Sequence, residues 1–545
     1  MMTKTLARAR EQLLAARGPH GHWEGELSAS ALSTATAVIA LALVDRQQHA
    51  PLIRHGLHWL KQHANPDGGW GDTVLSVSNI STTTLAWAAF GLLGEPAPEA
   101  EAWLARHDGG DLVQAIIARY GNDRTFSVPI LTACALAGRC GWEHVIPLPF
   151  ELAVLPPQLF RWLRLPVVSY ALPALIAIGQ VRHHHRPARR WLRDRARQGS
   201  LRVLENLQPS SGGFLEAIPL TSFVTMSLAG MGLAQHPVAE RGVKFLCGAA
   251  RSDGSWPIDI NLATWVTTLA VNALGESLPE SERAPIRDWL LAQQHRQRHP
   301  YTNAAPGGWA WTDLPGGVPD ADDTAGALLA LKTLGVPNSP QIAAGVRWLC
   351  GLQNRDGGIP TFCRGWGALP FDRSSPDLTA HALRAFAAWP HPAHAAQRAQ
   401  AYLARTQRPD GAWAPLWFGN QHVPAEENLT YGTAQVVRAL SPGPIRDAGV
   451  RWLLAAQNDD GSWGGGARTT PSIEETALAV AALAVAGERD AARRGAEWLV
   501  RATDEGRVFP PAPIGFYFAK LWYYEKLYPL IFTVAALRKV LTSAQ

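Results

Sequence analysis

Five stretches of the chain read as helices without a polar face. Each opens on a threonine, Thr267, Thr324, Thr379, Thr433 or Thr476, and runs on in Ala, Leu and Val. An apolar residue follows seven positions later, at Leu274, Leu331, Phe386, Leu440 and Leu483. A helix that is apolar all round must be buried on all sides, so the pattern predicts the inner helices of double-layered α/α barrels. Before these helices comes a recurring turn, Gln followed by Asp-Gly-x-Trp. It is complete at Gln407 to Trp413 and Gln457 to Trp463. Weaker copies run from Gln353 to Ile359, Gln293 to Trp309 and Gln62 to Trp70, and Asp253-Gly254-Ser255-Trp256 lacks the Gln. The period of roughly 50 residues fits two helices and their loops. Glycine supplies the left-handed residue that stops the first helix of each pair.

The starts of the inner helices share one end of the barrel, and that end carries the candidate chemistry. Two residues before each threonine stand Trp265, Asp322, Asp377, Tyr431 and Glu474. At the second of these, Asp320, Asp322 and Asp323 crowd one helix start. A single Asp there is an ordinary cap. Three within four residues cannot all ionise cheaply, so at least one is expected to hold a proton near neutrality. His381, two residues after Thr379, lies on the next helix and within reach of Asp322.

Composition narrows the class. The 545-residue chain has a net charge of +5, 17% charged residues and no long basic run, so nucleic acid is not expected as a partner. Its five cysteines, Cys134, Cys140, Cys247, Cys350 and Cys363, form neither a Cys-x-x-Cys pair nor a disulfide framework, which speaks against structural zinc. Twenty-two Trp residues exceed what core filling needs. Residues 1–18 carry Lys4, Arg8 and Arg10 but no continuous apolar run, so no signal peptide is read there.

Asp-x-Asp-Asp-Thr-Ala at 320–325, Asp-Leu-Thr-Ala-His at 377–381 and the Gly-x-Trp turns together resemble the class II terpenoid cyclases, and within them the squalene-hopene cyclase group. The resemblance implies an all-α fold of two α/α barrels. The first, residues 22–240, is inserted into a catalytic barrel made of 1–21 plus 241–545, and the substrate cavity lies between them. It implies that Asp322 is the acid that protonates a carbon–carbon double bond, assisted by Asp320 and Asp323 and strengthened by His381. Tyr431 would help to hold the water that returns the proton. Trp311 would face the growing cation, with Trp265, Phe362, Trp417, Phe516 and Tyr517 as further lining, since aromatic faces attract cations without offering a lone pair. Asp377 and Glu474 would stand behind this set. No metal and no cofactor is implied, apart from magnesium if the substrate is a diphosphate. The expected substrate is squalene or a close C30 relative, and the alternative is a polyprenyl diphosphate such as geranylgeranyl diphosphate. A homodimer is left open.

The chain departs from the family pattern in places. Residues 30–36, Ser-Ala-Leu-Ser-Thr-Ala-Thr, carry only hydroxyls where relatives have a water-ordering Glu, and Phe362 stands where many have Tyr. Residues 145–186 are apolar but broken by six prolines and end in Arg182-His183-His184-His185-Arg186. This stretch cannot be one spanning helix. It is expected to dip into one leaflet on the cytoplasmic side, with its cations on lipid headgroups. A sugar-cleaving barrel would need a paired-carboxylate geometry, and a prenyltransferase a zinc-ligand set. The His381 motif supports neither.

Overall fold

The computed structural model describes residues 1–156, 159, 162, 171–187, 190–362, 370–516 and 520–543. Helices dominate it. Six inner helices, Ala263–Leu274, Ala321–Thr333, Pro376–Ala388, Leu429–Ala439, Ile473–Ala486 and Tyr528–Ser543, pack each on the next, and the sixth returns to the first. Five of them are the helices predicted from the threonine pattern. A second ring is closed in the same way by Ala31–Asp45, Ile80–Leu92, Arg124–Leu136, Leu172–His185 and Ile218–Ala229. Outer helices cover the rings with one apolar face only. Arg489–Ala502, for example, buries Ala491, Ala492, Ala496, Leu499 and Val500 and leaves its charged face to water.

The repeat threonine and the turn form one device. The backbone N–H of the turn Trp donates to the threonine hydroxyl, Trp309 to Thr324 at 3.0 Å, Trp413 to Thr433 at 3.1 Å and Trp463 to Thr476 at 3.0 Å. The indole N–H donates back to a Leu carbonyl at the end of the preceding outer helix, as from Trp413 to Leu403 and Trp463 to Leu453, each at 2.8 Å. The glutamine amide clamps the turn to the next outer helix. Gln353 Nε2 donates to the carbonyls of Gly357 and Ala395 at 2.8 and 3.0 Å, and Gln407 and Gln457 repeat the pattern. Two glutamines read from sequence do not serve this role. Gln294, not Gln293, bridges Gly307 and Gln341, and Gln293 is the C-cap of Glu280–Ala292. Gln62 is exposed. Gln208 holds Gly212 and Val238 in the same way, and Trp23 is a further turn Trp, donating to Thr267 at 3.1 Å.

These contacts bear on where the units divide. Helix Met2–Ala15 packs on the C-terminal helix and Trp23 caps the catalytic-side ring. Trp256, at the other seam, donates to Thr34 in the first ring at 3.0 Å. The boundary expected at 240 falls inside the helix Pro237–Ala249. We propose that the inserted unit runs from about 29 to 257, the span bounded by the short antiparallel pairing of Ala29–Ser30 with Trp256–Pro257.

The apolar stretch before residue 186 has a different role from the one expected. Its described helical part, Leu172–His185, is an inner helix of the first ring, buried from Leu172 to His183 except for Ala174. Its basic end is engaged within the protein. Arg182 donates to the Val145 carbonyl at 3.0 Å, His183 to the Asp194 carboxylate at 2.9 Å and His185 to the Gly230 carbonyl at 2.9 Å. This helix is therefore core, not a lipid-facing segment. Residues 157–158, 160–161 and 163–170 of the stretch lie outside the described residues.

Candidate active site

The acidic triplet is sorted by its helix start. Asp320 is the N-cap of Ala321–Thr333, and its Oδ1 accepts from the Asp323 N–H at 2.9 Å, while the Thr324 hydroxyl donates to its carbonyl at 2.6 Å. Asp320 and Asp323 are thereby turned into the protein and buried. Asp322, one residue out of phase, keeps 19% of its side chain exposed and meets His381, whose Nδ1 lies 2.5 Å from Asp322 Oδ1. The Trp265 ring stands edge-on to His381, 6.2 Å between centroids.

Burial separates the carboxyls electrostatically. It pushes Asp320 and Asp323 above the usual carboxylate range, and each also feels its neighbours' charge. Asp377 is pushed up to about 6 by burial, against the hydrogen bond that its carboxyl accepts from the Ser375 hydroxyl. Burial also raises the Tyr431 phenol, and the charges of Asp322 and Asp377 add to the effect. Burial thus favours the protonated forms of Asp320 and Asp323, which limits the negative charge gathered at this helix start.

The three acids of the Ala321–Thr333 start open onto a cavity of about 390 Å³ between the two rings, within the usual size range of small-molecule sites. Asp320, Asp322 and Asp323 lie at its wall, and the rest is almost wholly hydrocarbon and aromatic. Trp311, Phe362 and Trp417 form one aromatic bank: the Phe362 ring is 6.0 Å from both indoles, edge-on to Trp417. Trp417 is fixed by donating to the Thr361 hydroxyl at 2.7 Å and Trp311 by donating to Asp259 at 3.2 Å.

The family model described as squalene-hopene cyclase C-terminal domain matches residues 260–541, just over half of the chain, and the N-terminal domain model matches 6–171. The chain belongs to the squalene-hopene cyclase family. It is a class II terpene cyclase, an enzyme whose reaction is the cationic polycyclisation of an isoprenoid. It is similar to the squalene–hopene cyclase of Alicyclobacillus acidocaldarius, 28% identical over 91% of this chain and 90% of that one. To the drimenyl diphosphate synthase of Streptantibioticus cattleyicolor it is 36% identical, over 50% of this chain and 53% of the other. Among solved structures, ent-copalyl diphosphate synthase from Streptomyces platensis shares the fold, with a TM-score of 0.55, 20% identity and coverage of 99% of this chain and 100% of that one.

Not every residue read from sequence converges on this cyclase cavity. Trp265, Trp311, Phe362 and Trp417 line it with the three acids. Tyr431 stacks behind Phe418, 4.2 Å between ring centroids, rather than on the wall itself. Glu474 turns away to accept from the Ala512 N–H at 2.9 Å, and Asp377 accepts from Ser375 and the Leu416 backbone. The Phe516 side chain and Tyr517 lie outside the described residues. Sequence reasoning missed Tyr528, whose hydroxyl accepts from Trp265 Nε1 at 2.9 Å and lies 3.1 Å from that of Tyr523. Both tyrosines line the cavity. The signal for Tyr528 was Thr533, the repeat threonine of the sixth inner helix. Asp259, in the opposite wall, stands in no recognised motif.

Proposed function

We propose that this cyclase folds and polycyclises squalene or a close C30 polyene, with Asp322 as the general acid. The observation that carries this reading is the 2.5 Å Asp322–His381 pair at the wall of a hydrocarbon-lined cavity. Protonating an alkene gives a tertiary cation with no counter-charge of its own, so the acid must be strong. An imidazolium at His381, donating from Nδ1, stabilises the carboxylate left on Asp322. The proton goes to the terminal double bond, whose electron pair forms the new C–H bond. The cation is then attacked by each next double bond in turn. Trp311, Phe362 and Trp417 offer π faces along the way, and Tyr431 would help to hold the water that returns the proton. The last cation is quenched by loss of a proton or by water.

A polyprenyl diphosphate is the second reading, favoured by one observation. Arg124 and Thr125, at the N-terminus of Arg124–Leu136, reach the cavity, and a helix N-terminus with an arginine suits a diphosphate. Magnesium would arrive with that substrate. The test offers purified protein squalene and, separately, geranylgeranyl diphosphate with magnesium, and reads products by gas chromatography–mass spectrometry beside Asp322→Asn. A cyclised C30 product lost in the variant supports squalene. A product from the diphosphate alone moves the substrate to the second class.

The same proposal includes contact with one membrane leaflet on its cytoplasmic side. Among the described residues no helix is long and apolar enough to cross a membrane. Trp162 and Trp191, each 78% exposed, with Val154 and Leu192, are exposed large apolar side chains of the first unit. Such groups anchor a protein at an interface.

A further inference from the structure

Partial exposure in the catalytic-side ring follows one stripe of its inner helices. On Ala263–Leu274 only Leu269 and Asn272 are partly exposed, and on Pro376–Ala388 only His381 and Arg384 before the last two residues. On the Tyr431 helix the stripe comprises Gln435 and Arg438. Counted from the repeat threonine these are the second and fifth positions, so they look onto the axis of the ring. The fifth position is one turn further from the Asp322–His381 pair. There the six helices present Asn272, Leu329, Arg384, Arg438, Ala481 and, counted from Thr533, Arg538. Three arginines share one level of the ring, Lys539 follows, and the small Ala481 stands between Arg438 and Arg538.

These cations act on one another. Arg384 is pushed down to about 9 by burial and then by Arg438, with Asp322 and Tyr431 acting in the opposite sense, and Lys539 is lowered by burial and by Arg538, Arg438 and Arg384. Arg538 donates to the Asn272 carbonyl at 2.9 Å and feels Arg10 in one sense and Glu276 in the other. Among the described residues none of the four forms an ion pair with a carboxylate. Like charges withdrawn from water call for a counter-charge, and a fork of arginines matches the oxygens of a phosphate group.

We propose that this level of the ring axis is a binding site for a phosphate-type oxyanion, with inorganic diphosphate the best fit to three guanidinium groups. The site lies outside the substrate cavity, on the far side of Asp322 and His381. Its occupant removes positive charge that stabilises the Asp322 carboxylate after proton transfer, and so slows turnover.

Isothermal titration of the full chain with inorganic diphosphate, free of isoprenoid and magnesium, tests the site independently of the substrate question. Saturable one-to-one binding is expected, weakened at least tenfold by Arg438→Gln and by Arg384→Gln, with orthophosphate weaker. In turnover assays diphosphate should lower kcat and leave KM unchanged. If the variants fail to fold, protection of Arg384 and Arg438 from phenylglyoxal by diphosphate in the unaltered protein gives the same answer, read by peptide mass spectrometry. Absence of binding at millimolar diphosphate, binding equal in folded variants, or modification unaffected by diphosphate overturns the proposal.

Discussion

At the scale of the residue, the acid is set apart from its neighbours by which side chains are buried. Burial raises Asp320 to about 7 and Asp323 above the usual carboxylate range, and Asp322 has the histidine. Asp322→Asn should therefore abolish product, by at least about 10³-fold. His381→Gln, which keeps a hydrogen bond but no charge, should lower kcat about 10²-fold with little change in KM, in line with the usual worth of general acid catalysis. Single-turnover assays read both. Glu474 has a different kind of consequence. Burial pushes it up to about 8 from its ordinary 4.5, so between those values the folded protein holds a proton that the unfolded chain releases. Stability should then fall as pH rises through this window, by at most about 1.4 kcal/mol per pH unit from this group, and level off above about 8. Asp377 and Glu525, raised to about 6 and about 7, act in the same sense. Urea titrations from pH 5 to 8 should show a shallower decline in Glu474→Gln, and an unchanged slope would show that Glu474 ionises as freely in the fold as outside it.

At the scale of the element, the turn is held by side chains that replace missing backbone partners. Gln353→Ala removes the side-chain donor shared by the buried Gly357 and Ala395 carbonyls, which should cost about 1–3 kcal/mol. Gln62→Ala, at an exposed glutamine in the weakest copy, should stay within about 0.5 kcal/mol. Urea midpoints of the two variants make the comparison. The same elements explain what could be read in advance. Helices apolar all round were legible because burial on every side leaves a compositional mark, and the acid pair because Asp322 and His381 occupy related places on successive repeats. The sixth inner helix was not, since Thr533 lacks a preceding Gly-x-Trp turn. Of the groups expected at the helix starts, Trp265 and Asp322 line the cavity, whereas Asp377 and Glu474, in the same register, accept from backbone N–H groups. Repeat alignment fixes the height of a side chain, and rotamer and local partners decide what it faces. The inner helix Leu172–His185 looked lipid-facing for a related reason, because an apolar helix with a basic end is the same string of residues whether lipid or protein covers it.

At the scale of the whole molecule, two closed rings share a cavity, and the chain's first helix stitches its beginning to its end. Met2–Ala15 packs on the C-terminal helix, Arg8 pairs with Glu505 at 3.3 Å, Gln12 donates to the Gly506 carbonyl at 2.8 Å, and the Trp23 indole donates to the Leu13 carbonyl. The exposed ion pair contributes little. Leu6, Ala9 and Leu13 are buried in the main core, and their loss uncovers the sixth inner helix, which carries Tyr528 and closes the catalytic-side ring. Removing residues 2–16 should therefore lower the thermal midpoint by several degrees and reduce turnover, although no residue of that helix touches the cavity. Leu6→Ala and Leu13→Ala should each cost about 2–5 kcal/mol and reproduce the effect in part. An unchanged midpoint in the truncated protein would mean that the ring closes through the contacts of the C-terminal helix with Ile473–Ala486 and Ala263–Leu274 alone. The N-terminal helix would then be an addition to the barrel rather than part of its wall.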